Sequence, residues 1–147
     1  MLIDTHAHLT YPQLADERAA VIERADASGV TRIIDVGTNE ETSRKAVESA
    51  AGEDRVYASA GFHPHDSASA DEAGLAEIRK LLTGERVVAV GETGLDFFRD
   101  YAPHDLQERL FRRHIEMAVE VELPLILHSR GAEDRVIDLL IEMGARK

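Results

Sequence analysis

The sequence predicts an α/β protein, a parallel sheet whose strands alternate with helices, and three observations carry that reading. Short apolar, β-branched runs recur, segments of helical period separate them, and capping residues punctuate the helices. The expected strands are Leu2–Thr5, Arg32–Gly37, Val56–Gly61, Val87–Gly91 and Pro124–His128. A first helix is expected over Asp16–Ser28, stopped by Gly29 in a C-terminal cap position. A second, Glu40–Ala51, follows Thr38-x-x-Glu41, which has the pattern of a capping box. A third, Ala70–Thr83, follows Ser69-x-x-Glu72 and ends before Gly84. Pro103 precedes a fourth, His104–Val121, as proline does at a helix start. The fifth, Ala132–Met143, is expected to line up Val136, Ile137, Leu139, Leu140 and Met143 on one face before Gly144. Neither linker nor low-complexity stretch interrupts the pattern, so residues 1–147 are expected to form a single domain. Two architectures share this pattern: a doubly wound open sheet and a (β/α)8 barrel of which five β/α units are present.

Composition narrows the chemistry. The chain has no cysteine, so any metal must sit on His, Asp or Glu. No basic segment followed by an apolar one opens the sequence, and no apolar run has membrane-spanning length. A cytoplasmic protein without a membrane partner is expected. The net charge of −11 opposes non-specific wrapping of nucleic acid. It leaves room for a nucleic-acid enzyme, because metal ions in a cleft invert the local field and arginines clamp phosphate.

The residues that carry chemistry gather at strand ends. In Asp4-Thr5-His6-Ala7-His8, alternate side chains share a strand face, so two imidazoles can grip one ion with Asp4 orienting them. An exposed His-x-His pair at a strand end also arises without a metal. Three further strands end in similar groups: Gly61-Phe62-His63-Pro64, Gly91-Glu92-Thr93-Gly94-Leu95-Asp96 and His128-Ser129-Arg130. Residues on so many strand ends converge on one cavity in a barrel and spread apart in an open sheet. That favours the barrel. A glutamate there can bridge two divalent ions about 3.5–4 Å apart, which polarise a phosphoryl oxygen and lower the pKa of water. Zinc, manganese and magnesium all suit such mixed ligands.

Arg130 and Arg99 can hold phosphate from the rim or serve solubility. Asp96 is expected to brace the glycine-rich loop, and His65 either lies near the site or has no role. His104 and His114 are expected to be solvated or packed on the fourth helix. Asp35 either points into the barrel or pairs with a surface cation.

The four blocks, in their order and spacing, together with Gln107 and Phe111, resemble the TatD family of metal-dependent deoxyribonucleases. The resemblance runs along the whole chain. It implies a TIM-type (β/α)8 barrel, one or two divalent ions (Mg, Mn or Zn), and cleavage of DNA single strands or ends. It also implies that His6, His8, Glu92 and His128 are metal ligands, with Glu92 bridging. Glu92 and His63 are then the catalytic pair, His63 as substrate contact or proton-transfer group, and Arg130 and Arg99 face phosphate.

The sequence also departs from the family pattern. A full barrel takes about 250 residues, and the family's later ligands, a His after the sixth strand and an Asp after the eighth, have no counterpart here. Two alternatives therefore stand beside a nuclease: an inactive metal-binding fragment, and a hydrolase of a small amide or ester. Exposed barrel edges are expected to promote self-association.

Overall fold

The computed structural model describes residues 1–99 and 101–145. Five parallel strands, β1 (Leu2–Ala7), β2 (Val30–Val36), β3 (Val56–Ala60), β4 (Val87–Asp96) and β5 (Leu125–Arg130), form one sheet in sequence order. That order decides between the two architectures. A doubly wound sheet reverses its strand order at a switch point, whereas here each strand pairs with the next, as around a barrel wall. The strands form a half-barrel.

The helices are α1 (Pro12–Ala15), α2 (Arg18–Ala27), α3 (Glu40–Ala51), α4 (Glu72–Leu81), α5 (His104–Val121) and α6 (Glu133–Glu142). They pack against the strands in order, α3 on β3, α5 on β4 and α6 on β5. The main core joins Ile33, Val56, Ala58, Ile78, Val90 and Met117. A second cluster of Leu95, Phe111, Ile115, Val136 and Leu139 fixes α5 and α6 beneath the last strands. No helix among the described residues is long and apolar enough to cross a membrane.

Several local expectations are corrected. The segment expected as one helix over Asp16–Ser28 is preceded by α1, and α2 starts only at Arg18, after Glu17 leaves helical geometry (φ −108°, ψ 9°). The capping box lies one residue later than Thr38 and Glu41. Asn39 is extended, so its Oδ1 accepts from Thr42 N at 3.0 Å while Asn39 N donates to Thr42 Oγ1 at 3.0 Å. Likewise Asp71, not Ser69, caps α4 by accepting from Gly74 N at 2.8 Å; Ser69 Oγ instead donates to Asp66 O. Gly84 lies beyond the Leu82 cap, whereas Gly29 and Gly144 adopt the expected positive φ, +88° and +68°.

The largest difference is β4, which runs to Asp96 rather than stopping at Gly91. Gly91 and Gly94 make this extension feasible. Both have positive φ (+132° and +134°), and a Cβ on them would strike the carbonyl oxygens of Ile126 and His128 respectively. Without side chains, the β4 backbone lies flush against β5, pairing Gly94 with His128 and Asp96 with Arg130.

Candidate metal centre

The carboxyl ends of β1, β3, β4 and β5 bring the expected residues together. Glu92 lies between two pairs of imidazoles. Its Oε2 is 3.2 Å from His6 Nε2 and 3.7 Å from His8 Nε2. Its Oε1 is 3.3 Å from His128 Nδ1 and 3.8 Å from His63 Nε2. An open cleft of about 350 Å³ lies over His6, His8, His63 and Glu92, with Tyr11 and Thr38 in its wall.

The chain around each group sets its chemistry. His8 Nδ1 is 2.8 Å from Val36 O, and a carbonyl only accepts, so Nδ1 carries the proton and the Nε2 lone pair faces Glu92. This is the tautomer a metal ligand needs. Tyr11 stacks on the same ring at 4.5 Å and shares a hydrogen bond with Thr38 Oγ1. Asp35 Oδ1 accepts from Leu9 N at 2.9 Å, pinning the chain just past His8. Asp35 is fully buried on the face of β2 that it shares with Ile33, toward Ser49 of α3, so it packs on the helix side of the sheet and makes neither of the expected contacts, the barrel interior or a surface cation. Burial raises its pKa. Asp4 Oδ1 accepts from His6 N at 3.0 Å, bracing the strand end.

His63 has the opposite tautomer. Its Nδ1 accepts from His65 N at 3.2 Å, so the neutral ring carries its proton on Nε2, toward Glu92. Burial pushes its pKa down to about 4, against the opposing charge of Glu92. The ring is therefore neutral near pH 7, a hydrogen-bond donor facing the cleft.

Asp96 organises the far side. Its Oδ2 is 2.7 Å from His65 Nε2 and 3.1 Å from His128 Nε2, and its Oδ1 accepts from the backbone N–H of Phe98 and Arg99. The loop brace expected of Asp96 is present, and the histidine contacts come in addition. Burial raises its pKa, but the bonds from His65, Arg99 N, His128 and Phe98 N outweigh that and hold it at about 2. Gln107, fully buried, clamps Asp96 by accepting from its N–H at 2.8 Å and donating to its carbonyl at 3.1 Å. Burial also opposes ionisation of Glu92, yet the hydrogen bond from His128 and the electrostatic influence of the neighbouring His63 and His6 imidazoles bring its pKa below the ordinary value. His128, bonded to Glu92 and beside Asp96, is raised in turn.

Two donor sets lie within 4.8 Å: His6, His8 and Glu92, and His63, His65 and His128. The first suits a divalent ion of borderline softness, two imidazoles and one carboxylate, with the His8 lone pair already free. The second fits less well, because His63 Nε2 bears a proton and Asp96 faces the Nε2 atoms of His65 and His128.

Arg130 and Arg99 stand on the rim beside aromatic rings: Arg130 lies 4.1 Å over Phe98, and Arg99 Nη1 donates to Tyr101 OH at 3.2 Å. His104 is stacked on Phe97 at 4.0 Å, and His114 is buried rather than solvated. His65 takes the first of its two expected alternatives and lies at the cluster, whereas the contact of Tyr11 was not foreseen. One signal for the Asp96 contact was in the sequence: it stands four residues beyond Glu92, an even step along the same strand.

The family model described as TatD related DNase matches residues 3–147. The chain belongs to the TatD family. It is 45% identical over 145 residues to the uncharacterized metal-dependent hydrolase YabD of Bacillus subtilis, covering 99% of this chain and 57% of that protein. It is 37% identical over 139 residues to the 3'-5' ssDNA/RNA exonuclease TatD of Salmonella typhimurium, covering 95% and 54%. The crystal structure of YJJV, a TatD homologue from Escherichia coli, superposes with a TM-score of 0.92 at 32% identity over 97% of this chain and 56% of that one. This TatD-family chain thus spans about half the length of the curated relatives it matches.

Proposed function

We propose that the cluster is the metal centre of a hydrolase that cleaves phosphodiester bonds of DNA, at single strands or ends. The observation that carries this reading is the Glu92 carboxylate, with one oxygen toward His6 and His8 and the other toward His128 and His63. His6, His8 and Glu92 would hold one divalent ion, and His128 with the second oxygen of Glu92 would take part in holding another. Such ions, when bound, polarise a phosphoryl oxygen and lower the pKa of water. The ion is drawn from magnesium, manganese and zinc, all of which accept this donor set.

The protein's own groups do the positioning. His63 donates from Nε2 to a phosphate oxygen or serves in proton transfer. Asp96 sets the orientation of His128, and His8 is fixed by Val36 O and Tyr11. Arg99 and Arg130 meet neighbouring phosphates from the rim. The naming of a relative as a 3'-5' ssDNA/RNA exonuclease supports the substrate class. A small amide or ester substrate has less support, since nothing in the cleft selects for one.

The test is cleavage of an end-labelled single-stranded oligonucleotide with magnesium, manganese or chelator, alongside His128→Ala and calorimetric metal titration. Metal-dependent cleavage that falls at least about 10-fold in the variant is expected. Full activity in His128→Ala would sink the assignment. Metal uptake without turnover would leave the inert reading.

A further inference from the structure

The rim beyond β4 and β5 carries an arrangement that metal binding does not use. The chain has four phenylalanines, three tyrosines and no tryptophan, and two of these few rings stand in solvent, Phe98 at 65% and Tyr101 at 61% exposure. By contrast Phe111 and Phe62 are buried. The exposed rings are interleaved with cations. The Arg130 guanidinium lies 4.1 Å over the Phe98 ring, and that of Arg99 lies 5.9 Å from both Phe98 and Tyr101.

The arrangement is also continuous with the metal cluster. The Tyr101 ring meets His65 edge-on at 4.6 Å, His65 meets His63 at 4.3 Å, and His63 meets His128 at 4.3 Å. A polymer held at Glu92 would therefore lead out over Tyr101 and Phe98.

We propose that Phe98 and Tyr101 form a stacking platform for unpaired bases of a single-stranded nucleic acid, with Arg99 and Arg130 on the adjoining phosphates. The inference rests on the nuclease reading and adds its mode of substrate selection. A strand alternates anionic phosphate with flat aromatic base, and this rim alternates guanidinium with exposed ring. Every base has a π-face, so such a platform is tolerant of sequence. It is selective for single strands, because in a duplex the bases are already stacked on each other and their faces are closed to the rings. Arg130, stacked beneath Phe98, adds cation–π attraction and holds the ring in place. An apolar peptide matches this rim less well, since it would leave two guanidiniums without anions.

The test uses a short phosphorothioate oligonucleotide, resistant to cleavage, carrying 2-aminopurine near its 3' end. Fluorescence is titrated with the full chain in magnesium, for the parent, Phe98→Leu, Tyr101→Leu and Phe98→Tyr. Stacking quenches 2-aminopurine, so the parent should bind with quenching. Each leucine variant, apolar but without a π-face, should lose the quenching and about 5- to 100-fold in affinity. Phe98→Tyr should keep both, and the matched duplex should bind at least about 10-fold more weakly than the single strand. Leucine variants that bind and quench as the parent does would overturn the inference, as would a parent that binds no oligonucleotide. Metal titration reads the nuclease assignment separately. Quenched binding by a chain that takes up no metal overturns that assignment alone, and metal uptake with unaltered leucine variants overturns the platform alone.

Discussion

His114 shows how a single side chain fixes the site from behind. It sits on α5 with both ring nitrogens used: Nε2 accepts from Phe62 N at 3.0 Å, and Nδ1 donates to Leu110 O at 2.9 Å. The first bond holds the backbone one residue before His63. Both depend on a neutral ring, and full burial pushes the His114 pKa down to about 4. In the unfolded chain an imidazole takes its proton near pH 6.5. Between those values the unfolded chain binds a proton that the folded protein refuses, so stability present above about pH 6.5 is lost as pH falls toward 4. The shift corresponds to about 3 kcal/mol at its full extent. Urea unfolding of the parent and His114→Gln between pH 7 and pH 4 should show the parent losing the larger share of stability. Parallel curves for the two proteins would refute the assignment. The sequence had placed His114 only as solvated or packed on its helix, because its partner lies 52 residues away and no local pattern reports that approach.

Elements were legible where local periodicity rules. Glu40–Ala51 and His104–Val121 were expected at the boundaries that α3 and α5 show, since helical periodicity runs through each one. The caps were harder. Thr38, Asn39, Ser69 and Asp71 can all cap a helix, and the extended backbone at Asn39 and Asp71 makes the choice, which sequence alone does not reveal. The extension of β4 depended on Gly91 and Gly94 meeting the β5 backbone, a contact between strands far apart in the chain. The end of α5 is a further case: it closes on Glu122 in the left-handed region (φ 57°), where glycine is the usual residue. A left-handed non-glycine residue costs about 1–2 kcal/mol, partly offset by the greater freedom that glycine has when unfolded. Glu122 is exposed, so its side chain offers little in return. Glu122→Gly should therefore stabilise the protein by about 0.5–1 kcal/mol, read as a higher urea midpoint at unchanged slope. A lower midpoint would mean that the carboxylate makes a compensating interaction.

At the scale of the whole molecule, charge and site pull in opposite directions. The chain carries a net charge of −11, yet the proposed substrate is a polyanion. A protein that binds nucleic acid by a broad basic face loses affinity steeply with salt, with a slope in log K against log salt of about −0.7 for each phosphate neutralised on a single strand. Here the proposed contacts on the rim come from Arg99 and Arg130. Two such contacts give a slope of about −1.4 at fixed magnesium. The acidic remainder of the surface acts over a Debye length of about 10 Å at 0.1 M salt and is felt chiefly below that concentration. Affinity for a single-stranded oligonucleotide should thus fall only gently above 0.1 M, about 3-fold for each doubling of salt or less, and should flatten at lower salt as long-range repulsion grows. Anisotropy titrations across a salt series would check this. A slope steeper than about −3 would require cations beyond the two arginines and would place the strand elsewhere on the protein. A shallow slope combined with loss of binding in Phe98→Leu would tie affinity to ring and metal rather than to bulk charge, which is how an acidic chain can recognise an acidic polymer.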